Sequence, residues 1–265
     1  MDSNDDAVLL EKRNGVARVR FNRPRSLNAI SPELAECFLQ RCREIEADAE
    51  CRAVVISGEG RAFMAGGDLS RFYEDFPNAG ETARAMIEPM NAALSILVTL
   101  PLPVVASLHG PVAGAGMSVA LACDLVVASR DVKFSFGYTQ IGASPDLGMS
   151  WSLPRVVGLR QAMGIALLGE SSSSEQALEL GLINRLVSDD ELAHATDALI
   201  SDLASGPTIA YGQTKRLLRS SYGHSLEQQL SEELGGFRVC AATDDFVRGV
   251  SAFIEKQRIT EFSGA

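Results

Sequence analysis

Apolar and polar positions change period several times along the chain, and each change marks an element. Val8-Leu9-Leu10 and then Val16, Val19 and Phe21 flank Asn14-Gly15, a dipeptide suited to the positive φ of a tight turn, so residues 8 to 21 are predicted to form a β-hairpin. Ser31-Pro32-Glu33 reads as a helix start, a capping hydroxyl followed by proline at the first helical position. Leu34, Phe38, Cys42 and Ile45 then recur at helical spacing. Val54-Val55-Ile56-Ser57-Gly58 reads as a buried strand, residues 58 to 80 as a loop, and residues 81 to 100 as a helix with Met86, Met90, Ala93, Leu94 and Leu97 on one face. Pro101 and Pro103 stop that helix.

The next stretch, Val104 to Gly148, predicts an apolar strand to Leu108, a glycine-studded turn from His109 to Gly116, and a short apolar helix from Met117 to Ala122. A strand over 124 to 128 and a short one over 133 to 136 follow. Beyond Gly148 the texture becomes helical, over 151–157, 161–168, 174–180, 190–205, 207–220, 225–240 and 243–256. Ser188 and Glu191 have the spacing of a capping box, and only Ile183 to Val187 reads there as a strand. Strand, helix and strand in succession imply right-handed crossovers, hence an α/β core over residues 1–190. Residues 191–265 then form a helical region suited to packing on a neighbouring subunit.

Composition narrows the function classes. The 265 residues are 46% hydrophobic, enough to bury a sizeable core as one large domain. No apolar run approaches the roughly 18 residues of a membrane span. With 24 basic against 34 acidic residues, net −10, a broad footprint for nucleic acid is excluded. The acidic start, Met1 to Asp6, fits neither a secretory signal nor a transit peptide, and Phe262-Ser263-Gly264-Ala265 carries no peroxisomal or prenylation address. A cytoplasmic location is the expectation. Five cysteines, an odd number without C-x-x-C spacing, and three scattered histidines indicate neither a disulfide framework nor a catalytic metal.

The candidate chemistry lies in two glycine turns. At Gly114-Ala115-Gly116 a strand gives way to a helix, leaving backbone N–H groups unpaired, and the small side chains let a ligand approach them. Ala62-Phe63-Met64-Ala65-Gly66-Gly67-Asp68-Leu69 repeats the offer after the strand at 54 to 58. Two convergent amides can hold a carbonyl oxygen that becomes negative, each worth on the order of 3–4 kcal/mol in a dry site. A base is still required, and Asp146, after Pro145, is the candidate, although an aspartate there also suits a plain turn or cap. Close packing is the bland reading of the small residues. Gly116-Met117-Ser118-Val119-Ala120 approximates a hydrolase elbow, with His194 or His224 downstream, yet Ser118 lies well past the strand end at Leu108. A dinucleotide fingerprint fails at Val119, so no redox cofactor is implied.

Taken together, FNRPRSLNA at 21 to 29, AFMAGGDL at 62 to 69, HGPVAGAG at 109 to 116, CDL at 123 to 125 and GVSAFIEK at 249 to 256 resemble the enoyl-CoA hydratase/isomerase (crotonase) superfamily over nearly the whole chain. The resemblance implies a spiral of repeated ββα units, a C-terminal helical trimerisation region, and a homotrimer or dimer of trimers. Coenzyme A then enters as part of an acyl-CoA substrate, with no cofactor bound permanently. The oxyanion donors become the backbone N–H groups of Gly67 and Ala115. Arg25, Leu27 and Ala29 become nucleotide-side contacts, Gly66 to Leu69, including Asp68, pantetheine contacts, and Phe253 and Lys256 reach a neighbouring subunit's CoA.

The family's hydratases place two glutamates where this chain has Ser118 and Tyr138, and neither replaces a carboxylate base near neutral pH. Asp146 instead resembles the isomerase branch that includes the ring isomerase of phenylacetate degradation. An enoyl-CoA isomerase moving a double bond between C3 and C2 is therefore the expected activity, with an atypical hydratase, a Ser118 hydrolase and a non-catalytic CoA-binding relative as alternatives. A dehalogenase branch also uses an aspartate here, but needs a histidine near Ser95. Met64, Phe72, Phe76, Met86, Met90 and Trp151 are candidates to line an acyl pocket, or to be core.

Overall fold

In the computed structural model, which describes residues 6–259 and 261–265, the chain winds through two small sheets at once. The acidic start discussed above lies, but for Asp6, outside the described residues. Strands β1 (Val8–Arg13) and β2 (Val16–Phe21) form the expected antiparallel hairpin, with Asn14 and Gly15 both at positive φ. Helix α1 (Pro32–Glu46) starts where Ser31 Oγ accepts the Leu34 N–H at 3.3 Å. Strand β3 (Ala53–Gly58), helices α2 (Leu69–Glu74) and α3 (Ala79–Thr99), strands β4 (Val104–Leu108) and β5 (Pro111–Ala113), and helix α4 (Ala115–Ala122) follow. Next come β6 (Leu125–Ser129), β7 (Lys133–Ser135), α5 (Met149–Val157), α6 (Leu159–Leu168), β8 (Ser172–Ser173), α7 (Ser174–Glu179) and β9 (Arg185–Val187). Helices α8 (Leu192–Ala204), α9 (Thr208–Ser220), α10 (Leu226–Ala241) and α11 (Asp244–Glu255) complete the chain.

The larger sheet runs β1-β2-β3-β4-β6-β9, parallel except for the hairpin, and the smaller runs β5-β7-β8. Each turn of the spiral gives one strand to the larger sheet and the next to the smaller before a helix returns the chain: β4, β5, α4 and then β6, β7, α5. The turn before them does the same in reduced form, since Met64 bridges Val112 in parallel after β3. This is the ββα spiral expected from the motifs.

The main core lies between one sheet face and α1, α3 and α4, with Phe21, Phe38, Phe63, Met64, Met90 and Leu97 fully buried. Helix α8 covers the other face, setting Leu199, Ile200 and Ala204 against Val55, Val105 and Val127. Helix α9 is pinned by Lys215, whose Nζ lies 2.7 Å from Asp124 and donates to the carbonyls of Leu97 and Leu102. Helices α10 and α11 carry Leu230, Leu234, Phe237, Val250, Phe253 and Ile254 exposed. The cysteines are free thiols, and burial pushes Cys123 up to about 12 and Cys42 higher.

Three local expectations are corrected. The predicted loop over 58 to 80 contains α2, a helix too short to leave a periodic signature. Ile183 to Val187 does not hold the only strand beyond Gly148: the serine run at 171 to 174 supplies β8, and Ser173 caps α7 in a full capping box with Gln176. The Ser188–Glu191 pair is only half a capping box. Glu191 reaches back to the Ser188 N–H and hydroxyl at 3.2 and 2.6 Å, but α8 begins after Glu191 itself.

Candidate active site

The two glycine turns meet because the strands before them do. Ala113 N–H donates to the Met64 carbonyl at 3.0 Å, and the residues just beyond that contact are Gly66-Gly67 on one side and Gly114-Ala115 on the other. A Cβ placed on Gly66 would lie 3.2 Å from the Ala113 carbonyl oxygen and 3.8 Å from the Ala115 nitrogen. That approach, together with a φ of +98°, is what glycine provides at Gly66.

Both expected donors are left open by the local hydrogen bonding. Gly67 bridges Ile30, but the bridge uses the Gly66 carbonyl and the Asp68 N–H, so the intervening Gly67 N–H points to the opposite side. Ala115 is the first residue of α4, where an amide has no partner within its own helix. Among the described residues neither N–H donates to another backbone group. Beyond them α4 is buried all round, which suits a helix whose sequence is apolar on every face.

Asp146 comes to the same place through the Gly114 turn. Gly114 N–H is stitched to the Ser135 carbonyl at 2.9 Å, and a Cβ on Gly114 would lie 4.0 Å from Tyr138 Cζ. The Tyr138 hydroxyl donates to Asp146 Oδ1. Ser118 Oγ, on α4, lies 3.1 Å from the Tyr138 hydroxyl and 3.2 Å from the Asp146 main-chain carbonyl. The two positions where carboxylates were sought thus hold a hydroxyl pair turned onto a third residue. Asp146 itself begins a turn in which Met149 N–H returns to its carbonyl at 3.0 Å, with Leu147 and Gly148 both at positive φ. Leu147 is 5% exposed, so its buried side chain holds the strained turn in place.

Burial is the main influence on Asp146 and pushes its carboxyl up, while the Tyr138 hydrogen bond pulls it partly back. Tyr138 is pushed far up by burial and by the nearby Asp146 charge, so it stays a proton donor. The arrangement therefore offers two amides for a developing oxyanion and one half-buried carboxyl whose proton affinity is raised by burial.

The other expected residues fall less uniformly. Arg25 is exposed, Leu27 takes φ +51°, and Ala29 is 9% exposed with its carbonyl engaged by Arg23. The Asp68 carboxylate is engaged within the chain: it pairs with Arg23 at 2.9 Å and accepts from Ser70 at 2.6 Å. Burial pushes this carboxyl up, but the Ser70 and Arg23 bonds outweigh it and hold it below the ordinary range. Leu69 is exposed at the start of α2. Phe253 is 83% exposed and Lys256 caps α11 in the left-handed region; neither side chain is bonded to the site among the described residues. Of the apolar candidates, Met64, Met86 and Met90 are core, Phe72 packs on the core, and Phe76 is exposed. Trp151 stacks under Arg155 at 4.0 Å in a separate cleft of about 530 Å³ with Asp124, Lys215 and Tyr222.

Two residues have structural roles that their pattern alone did not reveal. Asn28, fully buried, donates from Nδ2 to the carbonyls of Glu59, Ala62 and Phe63 and accepts the Arg23 N–H at 2.8 Å, tying the 22–30 loop to the first glycine turn. A polar residue lodged between apolar Leu27 and Ala29 was the available signal. Tyr138 is the second, and its link to Asp146 crosses the turn at Gly142. Among the described residues no cluster of His, Cys, Asp and Glu could hold a metal ion.

Residues 11–264 match the family model described as enoyl-CoA hydratase/isomerase. The chain is 36% identical over 261 residues to 1,2-epoxyphenylacetyl-CoA isomerase of Escherichia coli, spanning 97% of this chain and 98% of that protein. It is also 36% identical over 260 residues to a Rhodobacter capsulatus protein named "Probable enoyl-CoA hydratase", with the same coverage. The crystal structure of an enoyl-CoA hydratase from Polaromonas sp. JS666 superimposes with a TM-score of 0.89 at 31% identity, over 94% of this chain and 97% of that one.

Proposed function

The chain belongs to the enoyl-CoA hydratase/isomerase family, an enzyme family acting on CoA thioesters, and on that premise we propose that it is an enoyl-CoA isomerase moving a double bond between C3 and C2. The observation that carries this reading is the carboxyl of Asp146, the one bonded to Tyr138 among the described residues. Asp146 stands beside the two glycine turns, while Ser118 and Tyr138, at the positions a hydratase fills with glutamates, are bonded to each other.

The reaction then needs one base and one oxyanion site. Asp146 takes a proton from C2 of a 3-enoyl-CoA, the electron pair moves through the thioester carbonyl, and the resulting dienolate oxygen rests against the Gly67 and Ala115 amides. The same carboxyl returns the proton at C4: the C3–C4 π pair forms the new C4–H bond, the C1–C2 π pair becomes the C2–C3 double bond, and the oxyanion pair re-forms the thioester carbonyl. No atom is gained or lost. A positioned base contributes roughly 10²- to 10⁴-fold, and raising a carboxyl toward the working pH brings it closer to a carbon acid. Coenzyme A is part of the substrate, with Arg25, Leu27 and Ala29 toward its nucleotide and Gly66 to Leu69 toward the pantetheine.

An atypical hydratase is the second reading, favoured by the Rhodobacter relative's equal identity. It requires a second group to activate water, and the hydroxyls available for that already serve Asp146. A Ser118 hydrolase is disfavoured because Ser118 is 1% exposed and, among the described residues, no histidine is bonded to it. A dehalogenase lacks its histidine on α3. The exposed apolar side chains of α10 and α11 support a trimer or dimer of trimers built through residues 191–265, in which Phe253 and Lys256 meet a neighbour's CoA. Among the described residues no helix is long and apolar enough to cross a membrane; a cytoplasmic location remains part of this proposal.

Incubation with 3-hexenoyl-CoA tests the proposal. Conjugated 2-enoyl product is expected, with loss of turnover in Asp146→Asn. Turnover that survives this substitution, or hydration of a 2-enoyl-CoA as the main activity, would overturn it.

A further inference from the structure

Tyr138 does no chemistry in the scheme above, yet it is the residue most closely bound to the carboxyl. It is 7% exposed, its ring packs edge-on against Phe136 at a centroid distance of 5.2 Å, and its hydroxyl donates to Asp146 Oδ1. The hydroxyl is held in turn by Ser118 Oγ, 1% exposed on α4. Among the described residues no other side chain is bonded to the second carboxyl oxygen.

We propose that Tyr138 is the positioning residue of this site: its hydroxyl, backed by Ser118, fixes one oxygen of Asp146 so that the other alone exchanges protons with a bound thioester. This rests on Asp146 being the acid–base group. The hydroxyl is placed by the ring's packing on Phe136 and by Ser118 on α4, so it arrests rotation of a carboxyl that otherwise sits on a loop.

A count of hydrogens strengthens the case. With Asp146 ionised, Tyr138 donates to Oδ1, and Ser118 donates either to Tyr138 at 3.1 Å or to the Asp146 carbonyl at 3.2 Å. When the proton taken from the thioester rests on Oδ2, Tyr138 still donates to Oδ1, and Ser118 still donates to Tyr138 or to the Asp146 carbonyl. Each hydroxyl hydrogen has an acceptor in both states, so the carboxyl changes charge without stranding a buried polar group. A second carboxylate at 138 would oppose ionisation of Asp146, whereas a tyrosine that stays protonated favours it.

The test reads Asp146 directly. In protein labelled with ¹³C at the aspartate carboxyls, the Asp146 resonance is assigned by its loss in Asp146→Asn and titrated without substrate. In Tyr138→Phe, which keeps the ring against Phe136, the midpoint is expected to rise by about one pH unit, a tenfold gain in proton affinity. Ser118→Ala is expected to raise it by less. The acid limb of the kcat profile moves with it, while KM for the thioester changes little. A midpoint that stays or falls in Tyr138→Phe overturns the proposal. Should that variant not fold, an unmoved or lowered midpoint in Ser118→Ala does so. Failure of the isomerase reading is separate: a wild type inert toward 3-hexenoyl-CoA ends that reading even where the titration shifts, and an active wild type with an unshifted midpoint ends only the role of Tyr138.

Discussion

Arg23 and Asp68 meet with Nη2 2.9 Å from Oδ2 across a separation of 45 residues, and the pair clamps the residue that follows the Gly67 amide. The same arginine holds the Ala29 carbonyl, and its own N–H is held by Asn28. Two residues expected as ligand contacts, Asp68 and Ala29, are thus partly a brace next to the proposed oxyanion donor.

Asp68→Asn should weaken that brace. A hydrogen bond to a charged partner is worth about 1.5–3 kcal/mol, and a loss toward the lower end is expected for this part-exposed pair. The Asp68 carboxyl is depressed in the fold, so its contribution is fully present above the unfolded value of about 3.9 and is lost as pH falls through the folded one. Urea midpoints of wild type and variant should therefore differ at pH 7 and converge as pH falls through the folded value. A gap independent of pH would count against the ion pair as its source.

Gly116 and Gly67 should separate fold from function. A Cβ at Gly116 would overlap the Met64 carbonyl oxygen and come within 3.0 Å of its carbon, forcing apart the two turns that carry the amides. Gly116→Ala is expected to cost about 2–3 kcal/mol and to lower Tm by roughly 5–10 °C. At Gly67 a Cβ meets nothing within 4 Å. Gly67→Ala should then stay within about 0.5 kcal/mol of wild type while kcat/KM falls, because the methyl enters the space reserved for the thioester. Melting curves and steady-state rates on both variants check the contrast, and a Gly67→Ala protein with full activity would contradict it.

What was legible in the chain follows the range of the interactions. The hairpin at Asn14-Gly15, the Ser31 cap and the glycine turns are local, and a few residues of pattern suffice to place them. Strands β5 and β8, with three and two residues, are too short to show a period and exist because neighbouring turns of the spiral supply their partners. The contact between Ser118 and Tyr138 joins residues 20 apart through two strands, and nothing in either segment announces it. Motif resemblance placed both residues in the site by position, but not their bond to Asp146, since that bond depends on a strained turn whose direction Leu147 fixes by burial.

Asp146→Asn should give opposite signs for activity and stability. Burial raises the folded carboxyl above its unfolded value of about 3.9, so its contribution to stability is fully present below that value and is lost as pH rises through the folded one. Asparagine carries no such pH-dependent cost and still accepts the Tyr138 hydrogen bond. Relative to wild type, the variant should gain stability as pH rises from about 3.9 through the folded value, and then hold a constant margin. Over the same range, isomerase turnover should rise with pH in the wild type and be about 10²- to 10⁴-fold lower in the variant. The trade between the two is what a functional carboxyl in a half-buried site predicts. Thermal melts across that pH interval decide the matter: a variant that loses stability relative to wild type as pH rises would mean that Asp146 serves the fold rather than the reaction.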